Sequence, residues 1–139
     1  MKTTLQLAAQ ICGALLCFCC HGTDQNKMAY LYKGFDTNGI LVVKGILNLS
    51  IGNSNRVQGN WNLQVVKLRP SRKLGPQIGS GKLAGEIHDS KISLNLNPGW
   101  FDNNVRLNGQ VTATNISGEW GYYGFAGKIV GGKFEAAKK

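Results

Sequence analysis

The 139 residues of the chain suffice for one domain. Sixteen basic residues against seven acidic ones give a net charge of +9, which favours anionic neighbours such as acidic lipid, polysaccharide, nucleic acid or an acidic protein. All four cysteines (Cys12, Cys17, Cys19 and Cys20) precede residue 21, so a chain cut after Gly22 can form no disulfide and must rely on its core.

Residues 5–20, LQLAAQICGALLCFCC, carry no charge, and Lys2 precedes them. A basic start, an apolar centre and small residues at Cys20 and Gly22 describe a secretory signal. The run is shorter than the ~20 apolar residues that span a bilayer, and it contains Gln6 and Gln10. The expected organisation is a signal peptide over 1–22, of secretory or lipoprotein type, and one β-barrel domain over 23–139. Cleavage after Gly22 releases the chain, whereas lipidation at Cys19 or Cys20 anchors it. The expected location is secreted, or periplasmic in the cell envelope, with a membrane reached only through such an anchor.

Beyond Thr23 the hydropathy alternates with a period of two, which is the strand period. Eight strands are expected, over about 29–35, 40–51, 57–68, 77–87, 91–97, 104–113, 116–123 and 125–135. Turn-forming residues separate them: Asp36 to Gly39, Gly52 to Asn55, Pro70 to Pro76, His88 to Ser90, Asn97 to Asn103, Thr114-Asn115 and Tyr123-Gly124. No stretch offers a helix. The fold class is all-β, a single antiparallel up-and-down barrel of about eight strands with a calycin-like layout, since closure removes exposed edges. A two-sheet β-sandwich is the alternative.

Alternation assigns an inward face. It comprises Leu41 to Ile51 and Val57 to Val65 at every second residue, then Leu83, Gly85 and Ile87, then Ile92, Leu94 and Leu96. Val105, Leu107, Gly109 and Val111 follow, then Ile116, Gly118, Trp120 and Tyr122, and finally Phe125, Gly127 and Ile129. Glycine costs strand stability, so its recurrence on this face asks for a reason. Hairpin closure supplies one by pairing glycine with large neighbours: Leu49 with Gly59, Gly45 with Leu63 and Gly85 with Leu94. A Thr114-Asn115 turn pairs Val111 with Gly118 and Gly109 with Trp120. A Tyr123-Gly124 turn pairs Trp120 with Gly127 and Gly118 with Ile129. Trp120 is then expected between two glycines, a known device in coiled sheets.

Catalytic and metal chemistry finds little material. After residue 22 the chain has one histidine, His88, and no cysteine, whereas a zinc site needs about four ligands. His88 stands in a turn with no nucleophile motif around it. Glu86 with Asp89, or Asp102 with Glu119, are the carboxylates that paired acid–base work would call on. The expectation is a non-enzyme with no cofactor, no metal and no catalytic residue.

Binding chemistry is richer. Lys67, Arg69, Arg72 and Lys73 cluster within VVKLRPSRKLGP and suit an anionic or protein partner. Trp100 and Phe101 stand outside the strand alternation, either plugging a barrel end or offering an exposed contact. Trp61, Trp120 and Tyr122 complete the candidate ligand-binding set. Nucleic acid is disfavoured because Trp61 and Trp120 fall on the apolar face instead of among the charges. Asn48-Leu49-Ser50 and Asn115-Ile116-Ser117 match the glycosylation acceptor pattern.

Gly59-Asn60-Trp61 falls on the third expected strand and Gly118-Glu119-Trp120 on the seventh. In strand count and size the layout resembles lipocalin- and avidin-type barrels, and lipocalins carry a Gly-x-Trp signature near the start of the barrel. A function taken from that layout rests on fold alone. The function expected from the residues is a non-enzymatic extracytoplasmic protein holding a small apolar or amphipathic ligand in the barrel interior or mouth; the alternative is a solid-core surface-interaction or inhibitor module. Mass spectrometry of the protein from its own host is expected to find a start near Thr23 or at a lipid-modified Cys19 or Cys20. Intact Met1 on soluble cytoplasmic protein would contradict export.

Overall fold

A computed structural model describes residues 26–52, 54–66 and 74–139. The N-terminal segment with its cysteines, Asn53, and residues 67–73 with Lys67, Arg69, Arg72 and Lys73 lie outside the described residues. Eight strands form one closed antiparallel barrel in chain order: β1 (Asn26–Phe35), β2 (Leu41–Ile51), β3 (Arg56–Val65), β4 (Gly79–His88), β5 (Lys91–Asn95), β6 (Asn104–Val111), β7 (Asn115–Gly124) and β8 (Gly127–Lys138). The last strand pairs back onto the first, Phe35 opposite Lys133 and Tyr30 opposite Lys138. The barrel, not the sandwich, is therefore the fold, and every strand has two neighbours.

The inward face is the one alternation assigns on β2 to β7. Val43, Leu47 and Leu49, Val57, Trp61 and Leu63, Leu83, Ile92 and Leu94, Val105 and Leu107, and Ile116 and Trp120 are all buried. Tyr30 and Tyr32 add β1 to this face, and their ring partner is Phe134, stacked 5.8 Å from Tyr32. A void wide enough for water leaves accessible surface on its walls. None of these inward side chains retains more than 5%, so they fill the middle of the barrel.

Two hairpins close as the sequence pairs them, with Ile51 opposite Val57, Leu49 opposite Gly59, Ile87 opposite Ile92 and Gly85 opposite Leu94. The last two do not. Val111 pairs with Ile116, so Gly109 faces Gly118 and Trp120 faces Leu107. The turn is displaced by one residue, to Ala113-Thr114, because Thr112 pairs with Asn115: its N–H donates to the Asn115 carbonyl at 2.8 Å, and its hydroxyl donates to that carbonyl and accepts from the Asn115 N–H, each at 3.1 Å. On β8 the assigned face is reversed. Phe125 and Ile129 are exposed, and Val130, Gly132, Phe134 and Ala136 point inward instead. Phe125 and Ala126 form the turn between Gly124 and Gly127, and a bulge at Tyr122/Tyr123 shifts the pairing.

Trp120 thus has one cross-strand glycine, Gly132, not two. A Cβ at Gly132 would lie 2.8 Å from the indole nitrogen. Trp61 repeats the arrangement on the other side of the barrel, opposite Gly81, where a Cβ would lie 3.0 Å from the indole. Each indole N–H donates to a carbonyl beyond that glycine: Trp61 to Leu96 at 2.7 Å and Trp120 to Phe35 at 2.8 Å. The polar edge of each large ring is therefore satisfied inside the core.

Trp120→Ala is expected to cost about 3–5 kcal/mol, since the ring is 1% exposed and its removal leaves a cavity. Gly109→Val is expected to cost at least about 1–3 kcal/mol, because its Cβ would strike the Ser117 carbonyl and the Phe134 ring. Chemical denaturation measures both. Near-neutral values for the pair would contradict the packing.

Candidate functional site

Up-and-down topology sorts the connections by end. Those after β1, β3, β5 and β7 (36–40, 66 with 74–78, 96–103 and 125–126 among the described residues) gather at one end. Those after β2, β4 and β6 (52–55, 89–90 and 112–114) gather at the other, beside the start of β1 and the close of β8. Among the described residues, the large apolar side chains left exposed are Leu31, Ile40, Val66, Ile78, Trp100, Phe101, Phe125 and Ile129. Leu31 lies mid-strand. All the others belong to the first end, and each of its four connections supplies at least one of them or adjoins it. The opposite connections are built from Gly, Asn, Ser, Asp, Thr and Ala. One end is apolar and the other polar.

The backbone holds the apolar tips outward. Asp36 accepts N–H bonds from Asn38 and Ile40 at 2.9 Å each, fixing the first connection. In the third, the Asn104 amide donates to the carbonyls of Trp100 at 3.0 Å and Asn97 at 3.3 Å, and the Trp100 N–H donates to the Asn97 carbonyl. Tyr122 donates its hydroxyl to Asn103 at 3.0 Å, tying this connection to β7. Trp100 and Phe101 are left 66% and 86% exposed, and Phe125 in the neighbouring turn 87%. The Arg106 guanidinium lies over the Tyr123 ring, 5.1 Å from its centroid.

Trp100 and Phe101 are therefore side chains presented to solvent, not a plug. The end is closed by the residues that follow the basic segment. Leu74 and Gln77 are buried, and Gly75 lies against the Tyr122 ring so closely that a Cβ would come within 2.5 Å of it. Trp61 and Trp120 are core, not contact surface. The structure brings Tyr122, Trp100 and Phe101 together at one end and separates them from the two core tryptophans. Ile40, Val66, Ile78 and Ile129 escaped selection from sequence. Counting alternate connections of an up-and-down barrel finds them, because those at one end are the ones holding large apolar residues.

Side chains of the candidate acid–base groups are dispersed. Glu86 lies 3.4 Å from His88 on the outer face, and both are exposed. Asp102 belongs to the apolar end, whereas Glu86 and Asp89 belong to the polar end. Glu119 accepts from Lys133 at 3.0 Å, and that hydrogen bond, the Lys133 charge and the nearby Lys128 hold its carboxyl below the usual value. Among the described residues, no cluster of three or more His, Cys, Asp or Glu is placed to hold a metal. The described concavities run along the outer wall of the barrel. One of about 470 Å³ is lined by Leu31, Lys33, Lys44, Ile46, Asn62 and Gln64 among others. Another includes Asn48 and Asn60, whose amides bond to each other at 2.8 Å.

Among the described residues, the buried polar atoms without a partner are Tyr32 Oη, Asn104 Oδ1 and both amide atoms of Gln77. Burial pushes the Tyr32 hydroxyl well above its ordinary pKa. The folded chain then keeps a phenol proton that the unfolded chain loses near pH 10. Stability from this group is complete below about pH 10 and declines as the pH rises further. Tyr32→Phe removes an unpaired hydroxyl, so it is expected to leave neutral-pH stability unchanged or raise it by up to about 1 kcal/mol. It should also flatten the alkaline decline. Thermal melts from neutral to alkaline pH check this, and a large loss at neutral pH would contradict it.

No family model, no curated protein and no solved structure matches the chain.

Proposed function

We propose that the chain is a non-enzymatic extracytoplasmic binding module with a solid core, meeting a protein partner or an anionic surface through one end of its barrel. The observation that carries this is the apolar end itself: all four connections there offer large apolar side chains to solvent, and the opposite connections offer none. Exposed apolar groups gathered on one patch mark an interaction surface, because their burial by a partner is favourable. The packed interior supports the same reading, since Trp61, Trp120, Tyr32 and Phe134 occupy the space a lumen ligand would need. In sequence, Lys67, Arg69, Arg72 and Lys73 stand between Val66 and Leu74, two residues of this end. They are proposed as contacts for the anionic side of a partner. The extracytoplasmic setting rests on the apolar run at residues 5–20.

A fluorescent naphthalene sulfonate tests the choice between end and interior. With the surface module, its enhancement falls several-fold in a Phe101→Ser/Phe125→Ser variant, while the emission of buried Trp61 and Trp120 is unchanged. A dye or long-chain fatty acid that quenches those two tryptophans, raises the melting temperature and ignores the double variant would overturn this reading in favour of a ligand inside the barrel.

A further inference from the structure

The proposed end-on binding leaves open what the apolar end meets, and its chemistry narrows the choice. We infer that its occupant is an anionic lipid surface, with Trp100, Phe101 and Phe125 entering the interfacial layer and the flanking cations meeting lipid phosphates; this rests on the end-on reading above. Three features carry it. First, the tips come from separate connections of one end, Trp100 and Phe101 between β5 and β6 and Phe125 between β7 and β8, and each protrudes into solvent. Protein partners are recognised mainly through anchors that fill well-packed pockets. A fluid bilayer accepts protruding side chains without a matching shape.

Second, the residue types suit the boundary between headgroups and acyl chains. Tryptophan concentrates at membrane–water interfaces, and phenylalanine and tryptophan form the apolar face of peripheral anchors. The rings are 66–87% exposed, so no rearrangement of the barrel is needed to insert them. Third, the charge is complementary. Exposed Lys33, Lys44, Lys82, Arg106 and Lys128 lie within three residues of the strand ends on this side, one layer behind the tips. Asp36 and Asp102 oppose them, and Asp36 is already engaged by two backbone N–H groups. Basic residues at that depth meet the negative potential of anionic lipid, and their attraction falls off within a Debye length.

The test uses the protein as recovered from its host and vesicles of phosphatidylcholine, with or without phosphatidylglycerol, carrying brominated acyl chains. Bromine quenches only tryptophan that enters the bilayer, so Trp100 reports on the tips whether or not the N-terminal segment anchors the chain. The expected result is quenching on the anionic vesicles that disappears in Trp100→Phe. Phe101→Ser/Phe125→Ser should weaken vesicle-dependent quenching by about tenfold or more. Lys44→Gln/Lys128→Gln should weaken it on anionic vesicles and reduce its salt dependence. Vesicle-bound protein without Trp100 quenching, or no quenching on either vesicle, would overturn the inference. Sedimentation of the same variants separates the two levels. A reversible dimer abolished by Phe101→Ser/Phe125→Ser assigns the end to a second copy, which overturns the lipid surface and leaves end-on binding standing. Dye enhancement that persists undiminished in Phe101→Ser/Phe125→Ser removes end-on binding as well.

Discussion

The barrel depends on two indole rings, each laid over a glycine on the next strand so that its N–H reaches a carbonyl on the strand beyond. Trp61 on β3 crosses Gly81 of β4 to the carbonyl of Leu96, just past β5. Trp120 on β7 crosses Gly132 of β8 to the carbonyl of Phe35 on β1. The second crossing bridges the seam where β8 meets β1, so it ties the last hairpin to the first strand. A side chain at either glycine would push the ring off its partner. The donor would then be buried without an acceptor, a loss of about 1–3 kcal/mol beyond the lost packing. Gly-x-Trp occurs on both strands, and its glycine serves a second purpose: a Cβ at Gly59 or Gly118 would strike the Asn48 or Asn108 carbonyl of the preceding strand. Close strand approach on one side and ring coverage on the other are thus written into the same three residues, four strands apart.

The division of the surface follows from this packing. Space in the barrel's middle is taken up by the rings that hold it closed, which is why the proposed binding is placed on the outside. Both crossings end on carbonyls at the apolar end, Phe35 and Leu96, which stiffens the rim from which the tips project. Polar groups without partners accompany the same end. Gln77 lies just before β4, Asn104 opens β6, and the Tyr32 hydroxyl leans toward Gly34. Stability is therefore given up at the apolar end in exposed rings and in unpaired buried atoms, whereas at the opposite end the departure is in the backbone, where Asn55, Asp89 and Ser90 adopt positive φ. Residues that lower stability without structural gain are where function is to be sought.

Much of the fold was legible because the strand period is simple. Hairpins closed by Gly52 to Asn55 and by Asp89-Ser90 have unmistakable turn residues, and their registers follow. Thr112-Ala113-Thr114-Asn115 has no glycine, and the threonine hydroxyl that closes it looks in sequence like one more strand residue. The Phe125-Ala126 turn is more deceptive, since apolar residues at a tip continue the alternation and invert the face assigned to β8. The same disguise hid part of the site. Trp100 and Phe101 stood out because Pro98 and Gly99 interrupt the pattern before them, whereas Ile129, Ile40, Val66 and Ile78 read as ends of strands. Only the closed topology turns them into one rim.

Hydrogen exchange of the three indole N–H groups, followed by nuclear magnetic resonance, tests the central claim most directly. Trp61 and Trp120 are expected to exchange only through opening of the barrel, with protection close to that of the slowest backbone amides, while the exposed indole of Trp100 exchanges unprotected. Three indoles exchanging at the same fast rate would contradict it, because the rings would then hold neither the core closed nor the rim in place.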